Sequence, residues 1–465
     1  MLFNSFDFFI FFLILLPVYW YTPAKYRRNL LILASFIFYA HWSIPFFFHF
    51  FFSVVINYLF YLLYLRFNSR KIIIGIVILN IFNLFLFKYY YLFYDALSYI
   101  LPSGSEFLKP GTGIIPEIIL PLGISFYTFQ MIAFHVDRYR KVFTEKIAFL
   151  DFTFFVMFFP QLIAGPIMRH DEIFSQINTV KRNTIKTIDM AALFIIAGLF
   201  KKVVLADSIS RIIDPVFLNP QNFSGFSNFL AYNGFALQIL FDFSGYSDIA
   251  RGLALGLGFR IPKNFRAPFM AQSFSEFWGR WHITLTTWLR DYLYITLGGN
   301  RTGKIRYIVN LMITMVLGGL WHGANYTFFI WGFLHGLFLI LERMIPFLRP
   351  PETEKGNILR RIFRRVILFH LISFSGIFFR NPSLGGALDM IQSLFNVKGL
   401  DIKGVNSLVI ITLIFIIMHF FENNPFKMKF YFRYKNYILP VAIIVLGFVM
   451  ISLQSGSTPF IYFQF

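Results

Sequence analysis

His322 lies on the Gly-rich stretch Gly318-Gly319-Leu320-Trp321-His322-Gly323, between strongly apolar segments. A charged side chain at membrane depth costs about 2.5–3.5 kcal/mol on insertion scales unless it faces a cavity or a partner. Imidazole is also the one side chain whose unperturbed pKa, about 6.5, suits proton transfer near neutral pH. The bland alternative is a histidine bonded to a backbone carbonyl inside a helix bundle. Three further polar clusters bear on that choice. His282 follows Trp278-Gly279-Arg280-Trp281, Asp242 and Asp248 flank Phe243-Ser244-Gly245-Tyr246-Ser247, and Gln130–Arg138 brings His135 and Asp137 close together.

His322 and His282 form the most economical active site. A hydroxyl that attacks an ester or thioester carbonyl needs a base within hydrogen-bond reach, and a second group to orient that base or bind the developing oxyanion. The chain has no Gly-x-Ser-x-Gly elbow and no Cys, so a protein nucleophile of the usual hydrolase kind is not indicated. Two histidines could ligate a metal, but the spacing matches no compact zinc motif and a third ligand is missing, so no metal is expected. Asp242 and Asp248 read either as a helix end bonding backbone N–H groups or as a cavity lining. Gln130–Arg138 reads as an interfacial helix end, with Arg138 near lipid phosphate. The remaining histidines lack a comparable polar setting; His335 stands apart because it lies on the span after His322.

The elements that position these groups are membrane helices. Hydrophobic residues make up 57% of the 465, charged ones only 14%, and 67 are Phe; soluble domains carry about 25% charged residues. The expected fold is an all-α polytopic membrane protein, since too few segments alternate with period two for an outer-membrane barrel. No polar stretch is long enough to fold separately, so residues 1–465 read as one membrane domain, with a catalytic core near 116–345. The net charge of +20 fits positive-inside loops and anionic lipid head groups, not nucleic acid. Zero Cys excludes disulfides and self-palmitoylation. The apolar run Phe8–Leu16 is preceded by Asp7 and no basic residue, so it reads as a retained span and not a cleaved signal.

Candidate spans lie near Phe6–Tyr21, Asn29–Trp42, Pro45–Leu65, Ile72–Tyr94, Pro116–Val136, Ile147–Ile163 and Ile188–Leu205. Others lie near Phe226–Phe243, Tyr307–Leu320, Tyr326–Met344, Ile362–Phe379, Ser407–Phe421 and Tyr437–Leu453. Several are short or broken by Pro and Gly, which predicts about 11 crossings plus re-entrant pieces. Basic loops follow the first, third and fifth spans, placing the N-terminus outside the cytoplasm. Arg169–Lys186 breaks that alternation. The repair makes Ile147–Ile163 a re-entrant or tilted pair of short helices, interrupted at Pro160 and again at Gly165-Pro166, beside a cavity. Lys263–Thr296 mixes Trp, Tyr and Arg and reads as an amphipathic surface helix that dips into the protein.

The chain closely resembles the membrane-bound O-acyltransferase (MBOAT) family, in the branch of bacterial alginate O-acetyltransferase and the related peptidoglycan and D-alanyl transfer proteins. The resemblance rests on Pro121–Gln130, Phe159–Ile167, Phe241–Asp248, Phe277–Leu297, Gly319–Gly323 and the ending Pro459–Phe465. It implies helices around a central funnel or tunnel in the bacterial cytoplasmic (inner) membrane. It further implies transfer of an acyl group, most often acetyl, from a cytoplasmic donor such as acetyl-CoA or another acyl thioester. No permanently bound cofactor is implied. The acceptor would be a hydroxyl of an extracytoplasmic polysaccharide, reached directly or through a periplasmic acetyltransferase-like or esterase-like partner.

Under this resemblance His322 stands at the catalytic position and His282 at the second polar one. Trp321, Trp281, Arg280, Asp242, Asp248, Arg290 and Asp291 are expected to line the substrate path. Gly279 departs from relatives that carry a basic residue there. The rival reading is a transporter or flippase with a histidine proton relay; the sequence shows no internal repeat to support it. A non-catalytic anchor for an export complex is a third.

Overall fold

The computed structural model describes residues 1–101, 109–111, 117–163, 165–177, 185–301, 303–345, 358–422 and 460–461, and short pieces between 437 and 448. Helix dominates. The described residues hold no named strand, only an isolated bridge between Phe223 and Leu400. The chain divides into two compact units, one of residues 1–192 and 250–262, the other of residues 193–249 and 263–465.

The first unit carries α1 (Phe6–Tyr21), α2 (Ala24–Ala40), α3 (Ile44–Phe67), α4 (Arg70–Lys88), α5 (Tyr90–Ile100), α6 (Ile124–Tyr139), α7 (Phe149–Met157), α8 (Phe159–Leu162) and α9 (His170–Ile177). Local chemistry sets their ends. The Ser5 and Ser43 hydroxyls accept N–H bonds at the starts of α1 and α3, and Asn68 closes α3 with φ +46°. The expected pair of short helices is present as α7 and α8. The break falls at Phe158 (ψ 107°), with Pro160 in the first turn of α8. A proline whose N–H is not needed is tolerated there and disfavours a continuous helix.

The Gln130–Arg138 cluster ends α6, with Arg138 in the last turn, but its inner residues are tied into the helix packing. His135 Nε2 bonds Asn57 Oδ1 at 3.1 Å, Asn57 and Asn80 exchange amide bonds, and Gln130 donates to the Phe155 carbonyl. His135 and Gln130 are buried. Buried amides that satisfy one another tie α3, α4 and α6 together.

α10 (Ile185–Leu199) leads into the second unit, followed by a π-helical stretch, Phe200–Ala206. Next come α11 (Asp207–Leu218), α12 (Gly225–Gly256), α13 (Phe274–Trp278), α14 (Ile283–Trp288) and a second π stretch, Leu289–Tyr294. α15 (Lys304–His322), α16 (Tyr326–Met344), α17 (Ile358–Arg380), α18 (Leu384–Ser393) and α19 (Val405–Glu422) complete it. Among the described residues six helices (α3, α4, α15, α16, α17 and α19) are long and apolar enough to cross a membrane. That confirms a multi-pass protein without fixing the count of about 11. Most of the Tyr437–Leu453 span lies outside the described residues.

Two expectations change in the second unit. Phe226–Phe243 does not end at the aspartates: α12 runs on for 32 residues, so Asp242 and Asp248 lie within it. Lys263–Thr296 is not one amphipathic surface helix. It is a folded-back path of short turns with Trp278, Trp281, His282 and Trp288 buried. Polar side chains bond this segment to itself, which lets irregular backbone be buried. Asn264 Oδ1 accepts from the Thr284 N–H and hydroxyl (3.2 and 2.7 Å), and Arg266 N–H donates to the Arg280 carbonyl (3.0 Å).

Candidate active site

His322 is the last residue of α15 and is 5% exposed. α15 and α16 form a hairpin that closes on glycine. A Cβ at Gly319 would stand 2.3 Å from the Phe328 carbonyl oxygen, and one at Gly332 would stand 2.5 Å from that of Met315. Small residues are what let two membrane helices approach this closely. The approach brings α16 aromatics onto the imidazole. Trp331 packs against His322 at 5.2 Å between ring centroids, and Phe379 of α17 packs at 5.0 Å.

His282 is fully buried, precedes α14 and has φ +42° and ψ 52°. That left-handed conformation is uncommon for a residue with a side chain, and backbone strain of this kind costs about 1–3 kcal/mol. Here the Asn264 and Arg266 bonds hold the segment in place. Phe243 of α12 lies edge-on to the His282 ring at 4.6 Å. Trp321 sits against both imidazoles, 5.7 Å from His282 and 4.9 Å from His322. Burial pushes the His282 imidazole down to about 3, so it is neutral at pH 7. A neutral imidazole can donate one hydrogen bond and accept another but adds no fixed charge.

Two cavities meet at the His322–Trp331 pair. The larger, about 620 Å³, is lined also by Trp278, Gly279, Arg290, Tyr294, Tyr307, Glu342 and Arg343. The smaller, about 40 Å³, is lined mainly by apolar side chains from α12 and α17, with Trp281 and His335. A group entering either cavity meets the same imidazole.

The other expected lining residues divide. Trp281 faces the small cavity and Arg290 the large one. Asp291 pairs with Arg290 at 2.6 Å. Arg280 bonds Glu276 (2.7 Å) and the Arg266 carbonyl (3.2 Å), which makes it a staple of the folded segment. Gly279 leaves room for a side chain, since a Cβ would approach nothing closer than 3.4 Å. Asp242 and Asp248 belong to a buried ion cluster. Lys202 Nζ reaches Asp242 Oδ1 at 2.6 Å and Asp207 Oδ1 at 2.8 Å, while Lys201 pairs with Asp248 at 2.7 Å. Asp242 Oδ2 also accepts the Ile461 N–H at 3.0 Å, and Phe460 packs on Tyr246 and Lys202. Through Phe243, the residue after Asp242, this cluster adjoins His282.

Lys201 and Lys202 were missed by the sequence reading although Phe200-Lys201-Lys202 interrupts an apolar span, a signal of function or pairing in its own right. They lie on a π stretch, a feature common at functional sites. Glu342 was missed as well. Its carboxylate accepts the backbone N–H groups of Phe274 and Ser275, holding α13 to the end of α16. Replacing Glu342 by Ala is expected to cost about 1–3 kcal/mol and to lower both the melting temperature in detergent and the activity, with Gln milder. Unchanged melting of the Ala variant would remove this role. Four of the remaining histidines have ordinary partners: His49 bonds Asn83, His370 bonds Asn233, His170 pairs with Glu145, and His335 Nε2 bonds Ser375 Oγ at 3.0 Å.

Known proteins are similar to this chain in sequence. The family model described as "MBOAT, membrane-bound O-acyltransferase family" matches residues 134–381, more than half the chain and every residue named around the two histidines. A probable alginate O-acetylase, AlgI, of Pseudomonas aeruginosa is 37% identical over 90% of this chain and 82% of its own length. The peptidoglycan O-acetyltransferase of Helicobacter pylori is 34% identical over 80% of this chain and 74% of its own. The teichoic acid D-alanyltransferase of Bacillus subtilis is 26% identical over 66% of this chain and 77% of its own. With a helical membrane architecture and a matched segment that spans both histidines and both cavities, this chain belongs to the membrane-bound O-acyltransferase family and is an acyltransferase.

Proposed function

We propose that this protein transfers a small acyl group, acetyl first among candidates, from a cytoplasmic thioester to a hydroxyl outside the cytoplasmic membrane of a bacterium. The acceptor is a polysaccharide or a periplasmic partner that completes the transfer, and the N-terminus faces outward. The observation that carries this reading is the position of His322, on the lining of both cavities at once. A base there can serve a donor held in one space and a group held in the next.

His322 removes the acceptor's hydroxyl proton as the oxygen attacks the acyl carbonyl carbon. The new C–O bond forms, the C–S bond breaks, and the imidazolium returns the proton to the departing thiolate. Positioned base catalysis of this kind contributes about 10²–10⁴-fold. Neutral His282, fixed beside Trp321, orients the site or donates to the developing oxyanion. Arg290 and Arg343 on the larger cavity suit the phosphates of a donor such as acetyl-CoA. The same ground supports the donor entering through that cavity. Deleting the gene should remove ester-linked acyl groups from a surface glycan, read by mass analysis of purified glycans. A glycan profile identical to wild type across the envelope would defeat this reading.

A further inference from the structure

The small cavity has a definite size and a definite far wall. One water needs about 10–15 Å³ of such space, so 40 Å³ holds roughly three water-sized groups. Ala236 and Ile239 of α12 bound it, one turn apart on the same helix face. Ile372 and Gly376 of α17 bound it from another side, again one turn apart. At Gly376 the two helices approach closely: a Cβ there would stand 3.3 Å from the Phe235 ring. His322 itself lines this space beside Trp331 and Phe379. Such an enclosure suits a short apolar tail attached to a carbonyl that His322 serves.

We propose that this cavity seats the transferred acyl group, and that Ala236, Ile239 and Ile372 set its maximum length at two to three carbons. The inference rests on the acyl-transfer reading above. An acetyl group has three non-hydrogen atoms, which matches the space. A butyryl group adds two methylenes that must displace packed side chains. Discrimination by a hydrophobic pocket runs at about 10–200-fold per methylene, so chain length is read steeply here.

The test uses membrane vesicles from the native host that hold the full chain, any partners and the glycan acceptor. They are supplied separately with acetyl-, propionyl-, butyryl- and hexanoyl-CoA, and ester-linked acyl groups on the glycan are quantified. The wild type should fall by about tenfold or more per methylene beyond propionyl. Ile239→Ala should raise the butyryl-to-acetyl ratio by about tenfold, and Ala236→Val should lower the propionyl-to-acetyl ratio. Each ratio is independent of how much variant protein folds. Ratios equal to wild type in both variants, with acetyl transfer intact, would overturn this inference and leave the acyl-transfer reading standing. No transfer from any thioester by the wild type would overturn both.

Discussion

His322→Ala abolishes acyl transfer, by about 10²–10⁴-fold at least, while the protein still reaches the membrane. Two terms contribute to that expectation and can be separated. The first is the base itself, because a methyl cannot take the acceptor's proton. The second is packing, because the imidazole fills space between Trp321, Trp331 and Phe379. Truncating a buried aromatic ring leaves a void that neighbours fill only in part, at a cost of about 3–5 kcal/mol for the larger rings. Asn distinguishes the two, since it keeps a planar polar group near the same place but is no base. His322→Asn should therefore be as inactive as Ala and melt closer to wild type. Transfer by the Asn variant within tenfold of wild type would end the base assignment.

His282 behaves differently because its backbone is left-handed, with φ +42°. Asn tolerates that region better than other side chains, so an Asn variant there keeps the turn and removes only the ring. A residue that orients a base should cost less than the base itself.

Much of this was legible in the residues. His322 stood out because an imidazole on a Gly-rich helix end is costly in a membrane, and the Gly-rich stretch proved to be the close crossing of α15 on α16. The break near Pro160 was readable because a proline lacks the N–H and has a ring that disfavours a continuous helix. Lys263–Thr296 was readable as a segment that dips into the protein, but its fold as several short elements was not. Trp and Arg mark a membrane interface by composition, and composition cannot show that Asn264, Thr284 and Arg280 bond the segment back onto itself. The aspartates misled for a similar reason. An Asp after an apolar run suggests a helix end, yet Lys201 and Lys202, some forty residues earlier, neutralise the charge and let α12 run through. Pairing across that distance is not written in any local pattern. Neither is the small cavity, whose lining is drawn from residues scattered between Phe235 and Phe379.

That pairing carries the second large effect. Lys202 is 2% exposed and lies between two carboxylates, Asp242 and Asp207. Removing one member of a buried ion pair costs about 3–5 kcal/mol, because the remaining charge is left uncompensated. Lys202→Met leaves two carboxylates facing the gap and should be the most destabilising single change in the cluster. Asp242→Asn is milder, since Lys202 keeps Asp207 and the amide oxygen can still accept the Ile461 N–H. The double variant should be more stable than the sum of the two singles predicts, because the second change removes a charge that the first left unpaired. Melting temperatures of the four proteins in detergent measure this coupling directly. Strict additivity would mean that the pair contributes nothing beyond its separate members. Activity should follow stability with a further loss specific to Lys202→Met, since Asp242 adjoins Phe243, whose ring rests on His282. If the Lys202→Met protein that remains folded turns over at the wild-type rate, the cluster holds the helices together without shaping the site.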